Sequence, residues 1–500
     1  MASKRKTIIR NGRLLDIGQM IAPQRDIVIE GNKIAAIQAP GVTVSDDFRV
    51  IDASDRLLIP GLINAHTHGH GSLGKGRGDR WSLELLLNAG PWISGKRSQE
   101  DKRLAAQLNA AEMVLKGCTA CYDLFFEFPT PTSEGISEVA NGYRDIGLRA
   151  VIAPMVADRS LYDAMPGLME VLPEQHHRTA ELIKLASAEV ALRAYEELLA
   201  GWSHDRDSLR PAIAPTIPQH CSDGFLKACR ALATEHSVGL HMHLAESKAQ
   251  AHKGAEIYGK SQTQHLHDLG LLGPDFVGAH CVWLNDDDIR LLADTGAGVT
   301  HQPGCNLRLG SGVAPVRRLL QAGIPVGIGT DGSNSSDSQN MFDAVRLAAN
   351  VSRIADADYN RWISAQEALT MATTGSARLL GFENRLGQIA PGYLADIVFL
   401  DLSNINYVPL NNPVYQIVNC EDSTAVDSVM IDGRLVLQNR RFTDFNYDAM
   451  RQRVSSAMER LACATVKEKA IAQQLEYIVG TYCVGLQRTS CDVRRTLYCD

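Results

Sequence analysis

The segment Ile59-Pro-Gly-Leu-Ile-Asn-Ala-His-Thr-His68 constrains this chain more than any other, because an apolar strand feeds directly into two histidines one residue apart. Side chains at i and i+2 share one face of a strand, so His66 and His68 can aim their imidazoles at one point. Two imidazoles do not complete a metal site, and the reading requires further His, Asp or Glu side chains from distant strand ends. Without them, the pair would be ordinary structural histidines.

The middle of the chain supplies candidates. Strand-like apolar runs occur at Leu62–His66, Ala120–Leu124, Ala150–Val156, Pro211–Pro215, Val238–Leu244, Phe276–Cys281, Ala297–Thr300 and Pro325–Gly329. Helical patterns separate them at Asp101–Lys116, His177–Leu199, Gly224–His236, Asp286–Ala293 and Val316–Gln321. Eight strands alternating with helices indicate an α/β chain folded as a (β/α)8 TIM-like barrel, with its chemistry at the C-terminal strand ends. Polar residues stand at those ends: His241-Met-His243-Leu-Ala-Glu246 after the fifth run, His280 after the sixth, His301 after the seventh and Asp331 after the eighth. Five placements on one rim favour a metal centre over hydrogen-bonded turn residues.

Short β segments with Gly-Asn, Pro-Gly and Asp-Gly turns occupy residues 7–59 and return near 386–436. They predict a small β-sandwich domain built from both ends, residues 1–60 and 382–440, around a barrel at 61–381. Residues 441–500 form an extension: 447–475 read as helical, with Met450, Val454, Met458, Leu461 and Val466 at near-helical spacing. Cys483, Cys491 and Cys499 are expected in a polar tail.

Composition narrows the class. A net charge of −7 gives no footprint for nucleic acid or an acidic membrane surface. No run has the length of a membrane span or a signal-peptide core, so a cytoplasmic protein is expected. Eleven scattered cysteines form no disulfide framework, and Cys118 and Cys121 are expected in the core. Asp286-Asp-Asp288 reads as a helix cap and first-turn charge. His176, His177, His265 and His267 read as solvated helix residues.

Taken in order, Pro60-Gly-Leu-Ile-Asn-Ala-His-Thr-His68, His243-Leu-Ala-Glu246, Ala279-His280, His301-Gln-Pro-Gly-Cys-Asn-Leu-Arg-Leu-Gly-Ser-Gly312 and Gly329-Thr-Asp331-Gly resemble the amidohydrolase superfamily. The likeness is to the metal-dependent aminohydrolases of triazines, 8-oxoguanine, guanine and pterins, and it covers residues 5–440. It implies that His66, His68, His243 and Asp331 ligate one divalent cation, Zn²⁺ by preference with Fe²⁺ as the other candidate. His243, three residues before Glu246, is preferred to His241, which becomes a packed or supporting histidine. Residues 150–158 and 211–221 contain no lysine of the kind that bridges two metals in relatives, so one metal is expected.

A cation of this kind lowers the pKa of a water to about 7. Glu246 is the implied proton shuttle, while His280 and Asp331 orient the water. The implied reaction is hydrolytic deamination of an amino-substituted N-heterocycle such as an oxopurine, pterin or s-triazine. Pro215-Thr216 stands where adenosine-type deaminases of this branch carry Pro-His, which counts against methylthioadenosine and S-adenosylhomocysteine. Trp92, Thr216, Gln219 and Arg308 are the candidate substrate contacts, with Trp81 beside Trp92 as a stacking surface. Two alternatives stay open: hydrolysis of an amide, urea or carbamate C–N bond at the same mononuclear site, and a non-catalytic amidohydrolase-like scaffold. A homo-oligomer is possible.

Overall fold

The computed structural model describes residues 6–181, 185–489 and 493–496. Its eight barrel strands are Leu62–His68, Cys118–Phe126, Arg149–Val156, the pair Leu209–Pro211 and Ala214–Pro215, Leu240–Leu244, Phe276–His280, Gly298–His301, and Val326–Ile328 continued by Asp331–Gly332. The first strand is buried at every position, as a parallel strand covered on both faces must be, which explains its apolar run.

The pairings among these strands are parallel throughout the described residues. The ring closes at two seams. Ile213 bridges Leu240 between the fourth and fifth strands, and Asp331 pairs with Thr67 between the eighth and the first. At the second seam only a glycine fits at 329, because a Cβ there would lie 2.7 Å from the His66 carbonyl oxygen and 2.8 Å from its Cβ. The close approach presses the eighth strand onto the first, where both carry site residues.

The N-terminal strands share a sheet with strands late in the chain. Arg56–Pro60 pairs antiparallel with Ile397–Asp401, which joins the N-terminal strands to those at 426–442 in one nine-stranded sheet. The Glu30-Gly-Asn turn is a hairpin, with Glu30 paired to Lys33 and Gly31 at φ +66°. An apolar cluster of Ile9, Ile27, Ile29, Leu58, Ile397 and Phe399 draws on both ends of the chain.

Helix ends follow their local sequence. Asn285 caps the helix Asp286–Thr295 by accepting from the Asp288 amide, and all three aspartates lie in the first turn. The expected helix His177–Leu199 is instead two, Glu174–Glu181 and Ala188–Ala200, the second capped by Ser187. His265 is buried, stacked on Tyr258 at 3.8 Å and 3.0 Å from Asp223, which corrects its reading as a solvated residue. Cys118 and Cys121 are buried in the second strand, and burial pushes the Cys118 thiol up to about 12.

The C-terminal extension forms two helices, Tyr447–Ala464 and Val466–Gln487. Met450, Ala457 and Leu461 join the main core, while Val466 is exposed because the chain breaks at Thr465 and a new helix starts there. Leu475, Val479 and Cys483 pack with Leu85, Leu161 and Tyr162. Cys483 is therefore buried rather than in a polar tail, and Cys491 and Cys499 lie outside the described residues. Asn88 donates to the Ala472 carbonyl at 3.0 Å, so the last helix clasps the helix Leu83–Ser94 that follows the first barrel strand. Replacing the fully buried Leu475 by Ala should cost about 2–5 kcal/mol through lost contacts and a residual cavity, read as a lower urea midpoint with an unchanged slope.

Candidate metal centre and its cavity

Four barrel strands bring their ends to one point. His68 Nε2 lies 3.1 Å from His243 Nε2 and 3.3 Å from Asp331 Oδ1, and His66 Nε2 lies 3.9 Å from Asp331 Oδ2. Ligand atoms of His66, His68 and Asp331 fall within 4.8 Å of one another, as do those of His66, His243 and His280. All five side chains are buried.

The outer ring nitrogens show which atoms face inward. His68 Nδ1 is 2.7 Å from the Leu124 carbonyl and His243 Nδ1 is 2.8 Å from the Thr216 carbonyl. A carbonyl only accepts, so each Nδ1 carries the proton and each Nε2 presents a lone pair. Two lone pairs 3.1 Å apart repel unless a cation lies between them. His66 Nδ1 contacts His241 Nε2 at 3.2 Å, and His66 Nε2 has no hydrogen-bond partner. His241 thus backs His66, while the carbonyl partners of His68 and His243 are of the kind common behind metal-bound imidazoles. Burial and neighbouring rings hold His66 and His241 well below the ordinary histidine value and His243 at about 3, so neutral, ligand-ready imidazoles persist through neutral pH.

The other strand ends are strained to reach this point. Ala245, His280 and Asp331 adopt left-handed φ values of +48°, +68° and +65°, each disfavoured by about 1–2 kcal/mol for a residue with a Cβ. Buried amides hold them. Gln262 accepts from the Ala245 amide at 2.9 Å, Gln302 accepts from the His280 amide at 2.8 Å, and Gln339 donates to the Asp331 carbonyl at 2.7 Å. Gln339 also accepts from Thr67 at 2.8 Å, tying the eighth strand to the first.

Glu246 sits beside the cluster but outside the following helix, whose cap is Ser247. It is fully buried, and its Oε2 has no partner and lies 3.5 Å from His280 Nε2. Burial, then the charges of Asp331 and Glu84, push its carboxyl well above the ordinary range. His280 donates from Nδ1 to Asn306 Oδ1 at 2.9 Å, leaving Nε2 3.3 Å from Asp331 Oδ2. His301 is also buried, but it is absent from the groups of converging ligand atoms among the described residues.

A family model described as the amidohydrolase family matches residues 57–436. The chain belongs to the amidohydrolase family. A curated relative, the 5-methylthioadenosine/S-adenosylhomocysteine deaminase of Syntrophobacter fumaroxidans, is 33% identical over 461 residues, covering 91% of this chain and 98% of that one. An adenosine deaminase from Xanthomonas campestris with bound zinc superposes with a TM-score of 0.81 at 26% identity, over 92% of this chain and 99% of the other. Atrazine chlorohydrolase from Arthrobacter aurescens complexed with zinc gives 0.80 at 26% identity, over 90% and 100%. This amidohydrolase is accordingly a hydrolase of C–N bonds, of the deaminase kind.

Its cavity opens on the cluster. His68, His243, Glu246 and Asp331 form one end, and most of the remaining wall is apolar, including Leu83, Leu86, Leu87, Phe126, Met155 and Ile217. Of the four expected substrate contacts, Thr216 lines the cavity and the other three do not. Trp92 lies beneath Arg77 and Lys469, 5.5 and 5.4 Å from their charges. Trp81 meets it edge-on at 6.2 Å and also stays off the cavity wall. Gln219 donates to the Gln250 carbonyl at 2.6 Å and accepts from Gln262, which consumes its amide. Arg308 pairs with Asp337 at 2.9 Å and with the carbonyls of Gly78 and Asp79.

Two cavity residues escaped the sequence reading. His70 is buried and accepts at Nδ1 from the Phe126 amide at 3.0 Å, which leaves its proton on Nε2. His220 lines the same cavity four residues beyond Thr216, on the turn Pro218–His220, and burial lowers it to about 4. The run His66-Thr-His68-Gly-His70 held the signal for the first. Nothing in the sequence shows that the turn after Thr216 brings His220 back.

The support beneath Asp331 carries a pH dependence. Glu112 accepts from the Gln339 amide at 3.0 Å and pairs with Lys116 at 2.7 Å and with Lys75. Burial would raise its carboxyl, but Lys116 and Lys75 outweigh that and hold it below its ordinary 4.5. A depressed carboxyl contributes stability above the unfolded value and loses it as pH falls through the folded one. Unfolding free energy should therefore fall from about pH 4.5 downward, and Glu112→Gln should flatten that acid limb in denaturant titrations at stepped pH.

Proposed function

We propose that this chain is a metal-dependent hydrolytic deaminase of an uncharged amino-substituted N-heterocycle carrying an apolar substituent. His66, His68, His243 and Asp331 are the proposed ligands of one divalent cation, with zinc favoured by three imidazoles and one carboxylate. The observation that carries the reading is the pair of Nε2 lone pairs 3.1 Å apart. A cation held there supplies Lewis acidity that makes water a nucleophile at neutral pH.

The chain's own residues supply the rest. Glu246, with a raised carboxyl and a free Oε2, gives a proton to a ring nitrogen or leaving amine and takes one from the attacking water. His280 Nε2, between Asp331 and Glu246, holds that water in line. His70 Nε2–H is a donor fixed by the Phe126 amide and is suited to an oxo group or ring nitrogen of the bound heterocycle. The apolar walls exclude bulk water.

The substrate class follows from the lining. No Lys or Arg stands among the described residues that face the cavity, so a carboxylate or phosphate on the substrate would lack a counter-charge. Aminopurines with an apolar 5′-substituent and alkylamino-s-triazines both satisfy that lining. The first class agrees with the methylthioadenosine in the name of the curated relative, though not with its S-adenosylhomocysteine, which carries a carboxylate, and it tempers the expectation drawn from Thr216, since His220 offers an imidazole to the same cavity. We also infer that the nine-stranded sheet folds around its own apolar cluster as a small sandwich domain.

A deamination screen of 6-aminopurine nucleosides, oxopurines, pterins, alkylamino-triazines and aryl ureas tests the reading. Ammonia release from an uncharged aminopurine or triazine is expected, and turnover confined to ureas would replace the deaminase reading by an amide-type hydrolase. Chelation should abolish turnover, with zinc restoring it. Glu246→Gln should retain the cation and lose about 10²–10⁴ in kcat. His70→Phe should raise KM, with His70→Gln recovering part of the loss through its amide donor; equal KM in all three proteins would remove His70 from substrate contact.

A further inference from the structure

One buried thiol at this end of the cavity has no place in the mechanism above. Cys305 follows His301 on the loop helix Pro303–Arg308 and is 1% exposed. Ligand atoms of Glu246, His280 and Cys305 lie within 4.8 Å of one another. Glu246 Oε2 and His280 Nε2 are both buried without a hydrogen-bond partner. Two orphaned polar atoms with a thiol beside them form an incomplete coordination shell, since buried polar groups normally find partners.

We propose that Glu246, His280 and Cys305 form a second, inhibitory position for a thiophilic divalent cation such as zinc, next to the proposed catalytic ion and sharing no ligand with it. Carboxylate, imidazole and thiolate are a donor set that zinc accepts, with water or the cavity completing the shell. On binding, the thiol proton leaves to solvent as the sulfur–metal bond forms, and the carboxyl proton of Glu246 leaves likewise. The resulting thiolate and carboxylate neutralise the second cation, which offsets its repulsion from the first. The site needs no oxidant and no movement of the barrel. Occupancy ties up Glu246 and His280, the two groups that handle protons in the proposed reaction, so excess cation should stop turnover while leaving the first ion in place. The inference goes beyond the proposed reaction and rests on that reading only for its effect on turnover.

Cobalt titration of the metal-depleted full chain tests it, because a thiolate bound to cobalt gives an intense near-ultraviolet charge-transfer band and nitrogen and oxygen donors do not. The first equivalent is expected to give only weak visible bands, and a second to add the charge-transfer band. Cys305→Ser should abolish that band and the second equivalent while keeping the first, and Glu246→Gln should weaken the second equivalent at least tenfold. With zinc in place of cobalt, turnover should rise to one equivalent and fall tenfold or more at two. A charge-transfer band that persists in Cys305→Ser, or saturation of the wild-type protein at one equivalent, overturns the second position alone. Failure of the first equivalent to bind would instead overturn the proposed catalytic centre, so the two readings fail separately.

Discussion

The centre of this molecule depends on two imidazole lone pairs held 3.1 Å apart. Neither ring can turn away, because the Leu124 and Thr216 carbonyls claim the outer nitrogens and fix both tautomers. A buried carboxylate at 3.3 Å and a third imidazole complete a pocket of converging donors. Repulsion between such groups would be relieved by a cation, which is why this cluster is the candidate metal site.

Holding those donors costs backbone strain, and the barrel is arranged to carry it. The fifth, sixth and eighth strands end in left-handed residues, each tied by a buried glutamine from a neighbouring segment. Gln339 in turn rests on Glu112, two lysines and Thr67. The strand ends are thus anchored through amide networks into the helical layer, and Glu112 is linked to Asp331 through one intervening residue, Gln339. The last helix performs a similar service on the other wall, where it fixes the apolar helix that roofs the cavity.

The cavity separates the two halves of the problem that such an enzyme faces. Its polar end is crowded with titratable groups whose environments push them apart: imidazoles kept neutral, one carboxyl raised and another held low by the rings around it. Its walls are apolar and carry no cation among the described residues, so binding of the rest of a substrate draws on burial rather than charge.

Much of this was legible before any coordinates. Strand period and the apolar runs placed His66, His68, His243, Glu246, His280 and Asp331 at strand ends, because local period alone decides which side chains share a face. The short strands near both ends were legible from their turns. The substrate wall was not: Trp92, Gln219 and Arg308 are polar or aromatic residues of the right type, yet their hydrogen bonds and cation contacts go to neighbours distant in sequence. The role of Gln339, the burial of Cys483 and the return of His220 to the cavity are likewise set by which helix packs on which strand. Sequence order determined the donors and their spacing; only the closed ring of strands decided which polar groups were already spent on one another and which were left facing the cavity.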